Sequence, residues 1–146
     1  MDKQPAGVPI QLKFVTQIRD GARKETIAFD TNGLYYEKGQ STYLTFQEPN
    51  EQGEVNTVVK IQGTDVLIMR SGAVSMRQTH KKGQQTNGMY TSELGAFALQ
   101  TKTDNVLFEW SEKTKKGRLF LTYALLLNGS DAGRYAITIT FKEEKK

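Results

Sequence analysis

The sequence predicts an all-β protein that folds as a single antiparallel up-and-down β-barrel of about 8–10 strands. Apolar residues recur at every second position along most of the chain, which is typical of strands with one buried face. Clusters of turn residues separate these segments at the spacing expected of consecutive short strands. Short connections favour a meander, and closing that meander into a barrel removes its exposed edges. A two-layer sandwich is the alternative, because periodicity does not report whether the sheet closes.

The closing hairpin shows the pattern most clearly. Its arms run from Arg118 to Leu127 and from Arg134 to Phe141, and apolar residues alternate with polar ones in both. Between the arms, residues 128–133 are rich in Asn, Gly, Ser and Asp, which favour turns. No long window shows the 3.6-residue stripe of an amphipathic helix.

The remaining strands follow from the same alternation. The predicted extended segments are, in order, residues 10–19, 25–30, 34–37, 41–48, 56–62, 65–70, 74–80, 89–103 and 106–110. Asn32-Gly33 predicts a kink or a tight hairpin turn between two of them. Residues 81–88 form the longest predicted polar loop, and Gly95 predicts a bulge or a bend.

The length of 146 residues predicts one domain with a substantial core. We expect a flexible N-terminal tail over residues 1–7, a β-barrel domain over residues 8–142 and a charged C-terminal tail over residues 143–146. No internal repeat or second domain is visible.

Several function classes are excluded or disfavoured by composition. The chain has no cysteine, which excludes disulfides, thiol nucleophiles and thiolate metal sites. The N-terminus has no apolar signal segment, and the longest apolar run, from Leu119 to Leu127, is too short to span a bilayer. We therefore expect a cytoplasmic protein without membrane contact. Glycines precede strands rather than helices, so no phosphate-binding loop and no cofactor are predicted.

The chain carries a net charge of +4, with basic residues grouped near predicted loops. The densest group is Lys113, Lys115, Lys116 and Arg118, and Lys81-Lys82 forms another. These residues either keep the surface soluble or attract anions such as nucleic acid. The second interpretation predicts a protein- or nucleic-acid-interaction module that uses basic loops on its outer surface.

No catalytic or metal site is predicted. His80 is the only histidine, and we expect it to be exposed at a strand end beside Lys81. The carboxylates show no spacing that pairs two of them on one strand face, so an enzyme is the third interpretation. Such an enzyme would need a carboxylate or tyrosine with a shifted pKa in a pocket.

Arg70 is the strongest candidate for ligand binding. It shares a strand face with Val66 and Ile68, which directs its guanidinium toward the buried side. A charge there needs an acidic partner or a ligand carboxylate or phosphate, unless the side chain extends back to solvent.

The leading hypothesis is a non-catalytic barrel that holds a partly apolar ligand, with an anionic group paired to Arg70. The nominated ligand-binding residues are Tyr43, Arg70, Met76, Tyr90 and Tyr123. Tyrosines offer apolar walls with a polar tip, and a thioether adapts to irregular shapes, but both types also serve ordinary core packing. Monomer and homodimer are both open.

The order of several motifs resembles one known family. They are Tyr43-Leu44-Thr45-Phe46-Gln47-Glu48, Thr57-Val58-Val59-Lys60-Ile61, Ile68-Met69-Arg70-Ser71-Gly72, Tyr90-Thr91 with Gly95, and Gly117 with Leu119, Leu121, Tyr123, Leu125 and Asn128-Gly129. Together they resemble the YwiB-like family of Gram-positive bacteria, a domain of unknown function, over nearly the whole chain after residue 8. The resemblance implies a lipocalin-like (calycin) β-barrel. It implies no activity and no functional residues.

Overall fold

The computed structural model describes residues 7–144, which form ten strands. They are β1 (Val8–Asp20), β2 (Arg23–Lys38), β3 (Ser41–Glu48), β4 (Val55–Gln62), β5 (Asp65–Gly72), β6 (Ser75–Lys81), β7 (Gln85–Ser92), β8 (Gly95–Ser111), β9 (Lys116–Leu127) and β10 (Ser130–Glu143). Residues 1–6 of the predicted N-terminal tail and residues 145–146 of the predicted C-terminal tail lie outside the described residues. No membrane-spanning helix occurs in the described range.

Each strand pairs antiparallel with its neighbours in sequence, and the last strand returns to the first. The closing ladder joins β1 to β10 and places Phe14 opposite Ile139. This closure confirms the predicted up-and-down barrel and excludes the two-layer sandwich.

Alternation along each strand builds the core. In β1, Ile10, Leu12 and Phe14 are buried while Gln11 and Lys13 are exposed. Inward residues of the other strands meet them in one continuous apolar cluster. Burial of this surface is the main force that holds the barrel together, at about 25 cal/mol per Å² of apolar area.

The barrel has a tall wall and a short wall. Strands β1, β2, β8, β9 and β10 have 12–17 residues, whereas β3 to β7 have only seven or eight. Part of the predicted 81–88 loop is strand, because β7 begins at Gln85. The tall wall therefore extends beyond the short one.

The predicted kink or turn at Asn32-Gly33 was wrong, since β2 runs through it without a break. Gly33 is the first β2 residue that pairs with β3, and a Cβ there would lie 2.4 Å from the carbonyl oxygen of Thr45. Glycine is thus required by close contact with a neighbouring strand, not by a turn.

One end of the barrel is closed by aromatic rings, and we call it the aromatic end. Trp110 stacks on Tyr35 with ring centroids 4.6 Å apart and on Phe141 at 5.7 Å. Phe108 lies 6.3 Å from Phe141. Gly117 leaves room for this cluster, because a Cβ there would lie 2.2 Å from the Phe141 ring.

Candidate functional site

An ion pair lies at the opposite end of the barrel, which we call the polar end. Arg70 Nε donates a hydrogen bond of 2.6 Å to Glu48 Oε2, and the two side chains are only 18% and 14% exposed. The Thr57 hydroxyl donates to the same carboxylate oxygen. Arg70 Nη1 also lies 3.1 Å from Met76 Sδ. The guanidinium therefore already has a partner within the protein.

Strand alternation positions both charges. Val66 and Ile68 are buried on the inward face of β5, and Arg70 follows them two residues further on. Glu48 follows Leu44 and Phe46 on the inward face of β3 in the same way. Each charge thus stands at the end of an apolar row, where the core meets solvent.

A small pocket connects this ion pair with solvent. Its volume is about 170 Å³, and it is lined by Glu48, Asn50, Val55, Arg70, Val74 and Tyr90. This volume is below the roughly 300–1,000 Å³ of pockets that hold drug-sized ligands. Any ligand here has to be small.

Buried polar side chains continue from the ion pair into the core. Gln78 Nε2 donates to Thr101 Oγ1 at 3.0 Å, and His80 Nδ1 lies 3.1 Å from Thr103 Oγ1. All four residues are almost completely buried. They come from β6 and β8 and meet across β7, whose inward positions between them carry small residues.

His80 contradicts the expectation that it is an exposed residue, because its exposed fraction is 0%. Burial, with a smaller contribution from the positive charge of Arg70, lowers its pKa from 6.5 to about 4. Its Nε2 has no hydrogen-bond partner in the described part of the chain. The ring is therefore neutral at pH 7 and remains incompletely satisfied.

The nominated residues are only partly brought together. Arg70, Met76 and Tyr90 meet at the polar end, and Tyr123 lies beneath them, with its ring 4.7 Å from that of His80. Burial raises the pKa of Tyr123, and the positive charge of Arg70 opposes that rise.

Tyr43 does not line the interior, contrary to expectation. It stacks on Tyr36 at 4.9 Å on the outer face, because the adjacent Leu44 occupies the inward position. Sequence reasoning also overlooked Glu48, Thr57 and Gln78. The signal for Glu48 was available, since it continues the inward row of Leu44 and Phe46.

The polar end brings a cation and an anion together beside hydroxyl groups. Within residues 7–144, no three His, Cys, Asp or Glu side chains cluster as a metal site would require. The arrangement is suited to binding opposite charges at once.

The outer face of the tall wall carries a second concave feature. A broad, open groove of about 970 Å³ crosses β2, β1, β10, β9 and β8. Its cationic side chains are Lys13, Lys116, Arg118 and Lys142, and its acidic ones are Asp30 and Glu109. None of these six belongs to a salt bridge among the described residues.

These features define the chain as a closed, ten-stranded antiparallel β-barrel, consistent with a lipocalin-like up-and-down barrel. Residues 12–139 match a family described as a domain of unknown function (DUF1934), and the chain belongs to that family. It is 34% identical over 134 residues to the uncharacterized beta-barrel protein YwiB of Bacillus subtilis (strain 168), covering 92% of this chain and 93% of the relative.

The fold also matches a solved structure. The crystal structure of the ywiB protein from Bacillus subtilis aligns with a TM-score of 0.86 at 34% identity, covering 95% of this chain and 94% of that one. These similarities confirm the resemblance drawn from the sequence motifs and the barrel fold. They assign no activity.

Proposed function

We propose that this barrel is a non-catalytic binding protein for a small zwitterionic molecule, which it holds at the polar end. The ligand carboxylate pairs with Arg70 and its cationic group pairs with Glu48. The observation that carries the proposal is that the Glu48–Arg70 pair is largely buried but lines one small pocket that opens to solvent.

The charges favour a zwitterion over an anion. Arg70 is already neutralised by Glu48, so a purely anionic ligand would have to displace that carboxylate or leave it unpaired. A zwitterion supplies one opposite charge to each partner, and both remain compensated. Bidentate contact of a carboxylate with the guanidinium would add orientation.

The size of the pocket favours a ligand as small as a free amino acid. At about 170 Å³ it does not suit a lipid or another large apolar molecule. Val55, Val74 and Tyr90 supply an apolar wall beside the charges. This geometry refines the hypothesis of a partly apolar, anionic ligand inside the barrel.

The test is an NMR titration of the ¹⁵N-labelled protein with single free amino acids. Each has two matched probes, its N-acetyl form and its amide, which retain only one charge. We expect saturable shifts of the Glu48, Arg70 and Tyr90 amides with a free amino acid and not with its capped forms. The proposal is overturned if no free amino acid gives saturable shifts, or if capped forms bind equally well.

Two variants distinguish ligand binding in this pocket from ligand binding on the outer surface. Arg70→Met is expected to weaken binding about 10–100-fold, because one charged hydrogen bond contributes about 1.5–3 kcal/mol. Tyr43→Phe is the matched control, since Tyr43 lies on the outer face. Equal affinities of the two variants would contradict the assignment to the polar end.

The outer groove favours a second candidate function, the binding of single-stranded nucleic acid. Its four cations can contact phosphates, and Arg118 lies 5.6 Å above the Phe120 ring, beside which a base could stack. Sequence analysis grouped the basic residues near loops and began the strand at Arg118, but β9 already begins at Lys116.

Fluorescence anisotropy with a labelled oligothymidylate at several salt concentrations tests this candidate. Lys116→Glu with Lys142→Glu is expected to weaken binding and reduce its salt dependence. Lys81→Glu with Lys82→Glu changes the net charge equally outside the groove. Absence of binding, or equal loss in both pairs of variants, would remove this candidate.

A further inference from the structure

The first part of β2 is a strand edge without a neighbour. Within the described structure, residues 23–32 of β2 pair with β1 on one side, while pairing with β3 starts only at Gly33. The side chains of Lys24, Thr26, Ala28 and Asp30 are exposed, and Ile27 is 47% exposed. An exposed edge presents unpaired N–H and C=O groups to which another strand can add.

This edge is complementary to a second copy of itself. In an antiparallel pairing centred on Ile27, that residue faces its own copy across a two-fold axis. Lys24 then faces Asp30 of the other copy, and the symmetry gives this contact twice. Neither residue belongs to a salt bridge within residues 7–144.

Neighbouring registers lack this match. A slip of one residue in one direction places Glu25 opposite Asp30, which sets like charges against each other. The same slip in the other direction places Arg23 opposite Asp30, but it also sets inward positions of one copy against outward positions of the other. A slip of two residues in either direction leaves Lys24 opposite an uncharged residue. The register centred on Ile27 also keeps inward positions opposite inward positions, as a continuous sheet requires.

We propose that two copies of this chain associate through the β2 edge and form one sheet that continues from barrel to barrel. The two-fold axis passes beside Ile27. This interface shares no residue with the lining of the Glu48–Arg70 pocket and does not depend on the ligand proposed above.

The absence of cysteine allows a direct test of the register. Ile27→Cys introduces a single thiol, and opposed residues in an antiparallel pair have Cβ atoms about 4.5–5.5 Å apart, close enough for a disulfide with little adjustment. Leu107→Cys is the matched control, because Leu107 is 46% exposed on β8. Under mild oxidation we expect covalent dimers from Ile27→Cys well before Leu107→Cys. Equal rates would overturn the proposal.

A charge exchange tests the same register without a covalent bond. Lys24→Glu alone and Asp30→Lys alone each place like charges across the interface and are expected to weaken dimerisation about fivefold or more in sedimentation equilibrium. The double variant restores opposite charges and is expected to recover the dimer. A wild-type chain that stays monomeric up to millimolar concentration, or a double variant as weak as the singles, would overturn the proposal.

Discussion

The two ends of the barrel are closed by opposite chemistry. At the aromatic end, Tyr35, Trp110 and Phe141 stack on one another, and the Tyr35 hydroxyl and the Trp110 N–H each donate a hydrogen bond to a carboxylate. At the polar end, a paired Arg70 and Glu48 lie above buried Gln78 and His80. Buried charges contribute little net stability compared with apolar residues of similar volume. The aromatic end therefore stabilises the barrel, whereas the binding role that we propose would account for the chemistry of the polar end.

The largest effect should come from the aromatic end. Phe141 is 3% exposed and contacts Tyr35, Phe108 and Trp110. Phe141→Ala is expected to lower the free energy of unfolding by about 3–5 kcal/mol, because it removes a buried ring and leaves a cavity. Urea denaturation followed by circular dichroism measures the change. A loss below about 1 kcal/mol would show that these rings do not hold the end closed.

The next effect concerns the dependence of stability on pH. His80 has a pKa near 4 in the folded chain and near 6.5 when unfolded, so the unfolded chain binds more protons between these values. The contribution of the neutral His80 ring to the free energy of unfolding is fully present above pH 6.5 and is lost as the pH falls toward 4. The loss is roughly 3 kcal/mol, because each pKa unit between the folded and unfolded values corresponds to 1.36 kcal/mol.

Urea denaturation from pH 7.5 to pH 4 checks this dependence. In His80→Leu, the free energy of unfolding is expected to depend less steeply on pH, because the contribution of the imidazole disappears while the carboxylates still titrate. If variant and wild type show the same slope, His80 is not the group responsible. This outcome would also contradict the deep burial of its ring.

A smaller effect is expected for the ion pair, because both side chains retain some contact with solvent. Glu48→Leu leaves Arg70 without its partner and is expected to lower the free energy of unfolding by about 2 kcal/mol. Arg70→Met should act similarly. The double variant, with an apolar pair in place of the charges, is expected to lose less than the sum.

The double-mutant cycle for this pair is measured by urea denaturation at pH 7. A coupling within about 0.3–0.5 kcal/mol of zero would mean that the two residues act independently. A double variant as stable as wild type but unable to bind a zwitterion would separate function from folding at the polar end.

The sequence predicted the fold well because strand periodicity is a local signal. Alternation identified the inward row of Val66, Ile68 and Arg70 and the class of fold. It did not give every strand boundary, because it divided β2 at Asn32-Gly33 and joined the end of β7 to β8 across Gly95. The same alternation in β3 makes Tyr43 face outward, because the adjacent Leu44 faces inward. His80 was misplaced because Lys81 and Lys82 suggested a surface, although Met76, Gln78 and His80 share one strand face.

Long-range contacts could not be predicted in this way. The partner of Arg70 lies 22 residues earlier in the chain, and only the pairing of β3, β4 and β5 brings Glu48 beside it. The free edge of β2 likewise depends on where β3 ends relative to β2. Registers between strands decide both features, and a single sequence does not report them.

The smallest predicted effect compares one turn at each end. Lys115, at the aromatic end, and Asn128, at the polar end, both have left-handed backbone conformations, with φ of 56° and 50°. Asparagine tolerates this conformation better than lysine, and Asn128 Oδ1 also accepts a 2.8 Å hydrogen bond from the Ala98 N–H. Lys115→Gly also removes the exposed Lys115–Glu112 salt bridge, which contributes little to stability. The relief of backbone strain is therefore expected to raise the midpoint of thermal unfolding by about 1–3 °C. Asn128→Gly relieves less strain and loses that hydrogen bond, so its midpoint should stay the same or fall.

Calorimetry of both variants measures the two midpoints of thermal unfolding. A rise of equal size in both would mean that the Asn128 side chain contributes nothing to its turn.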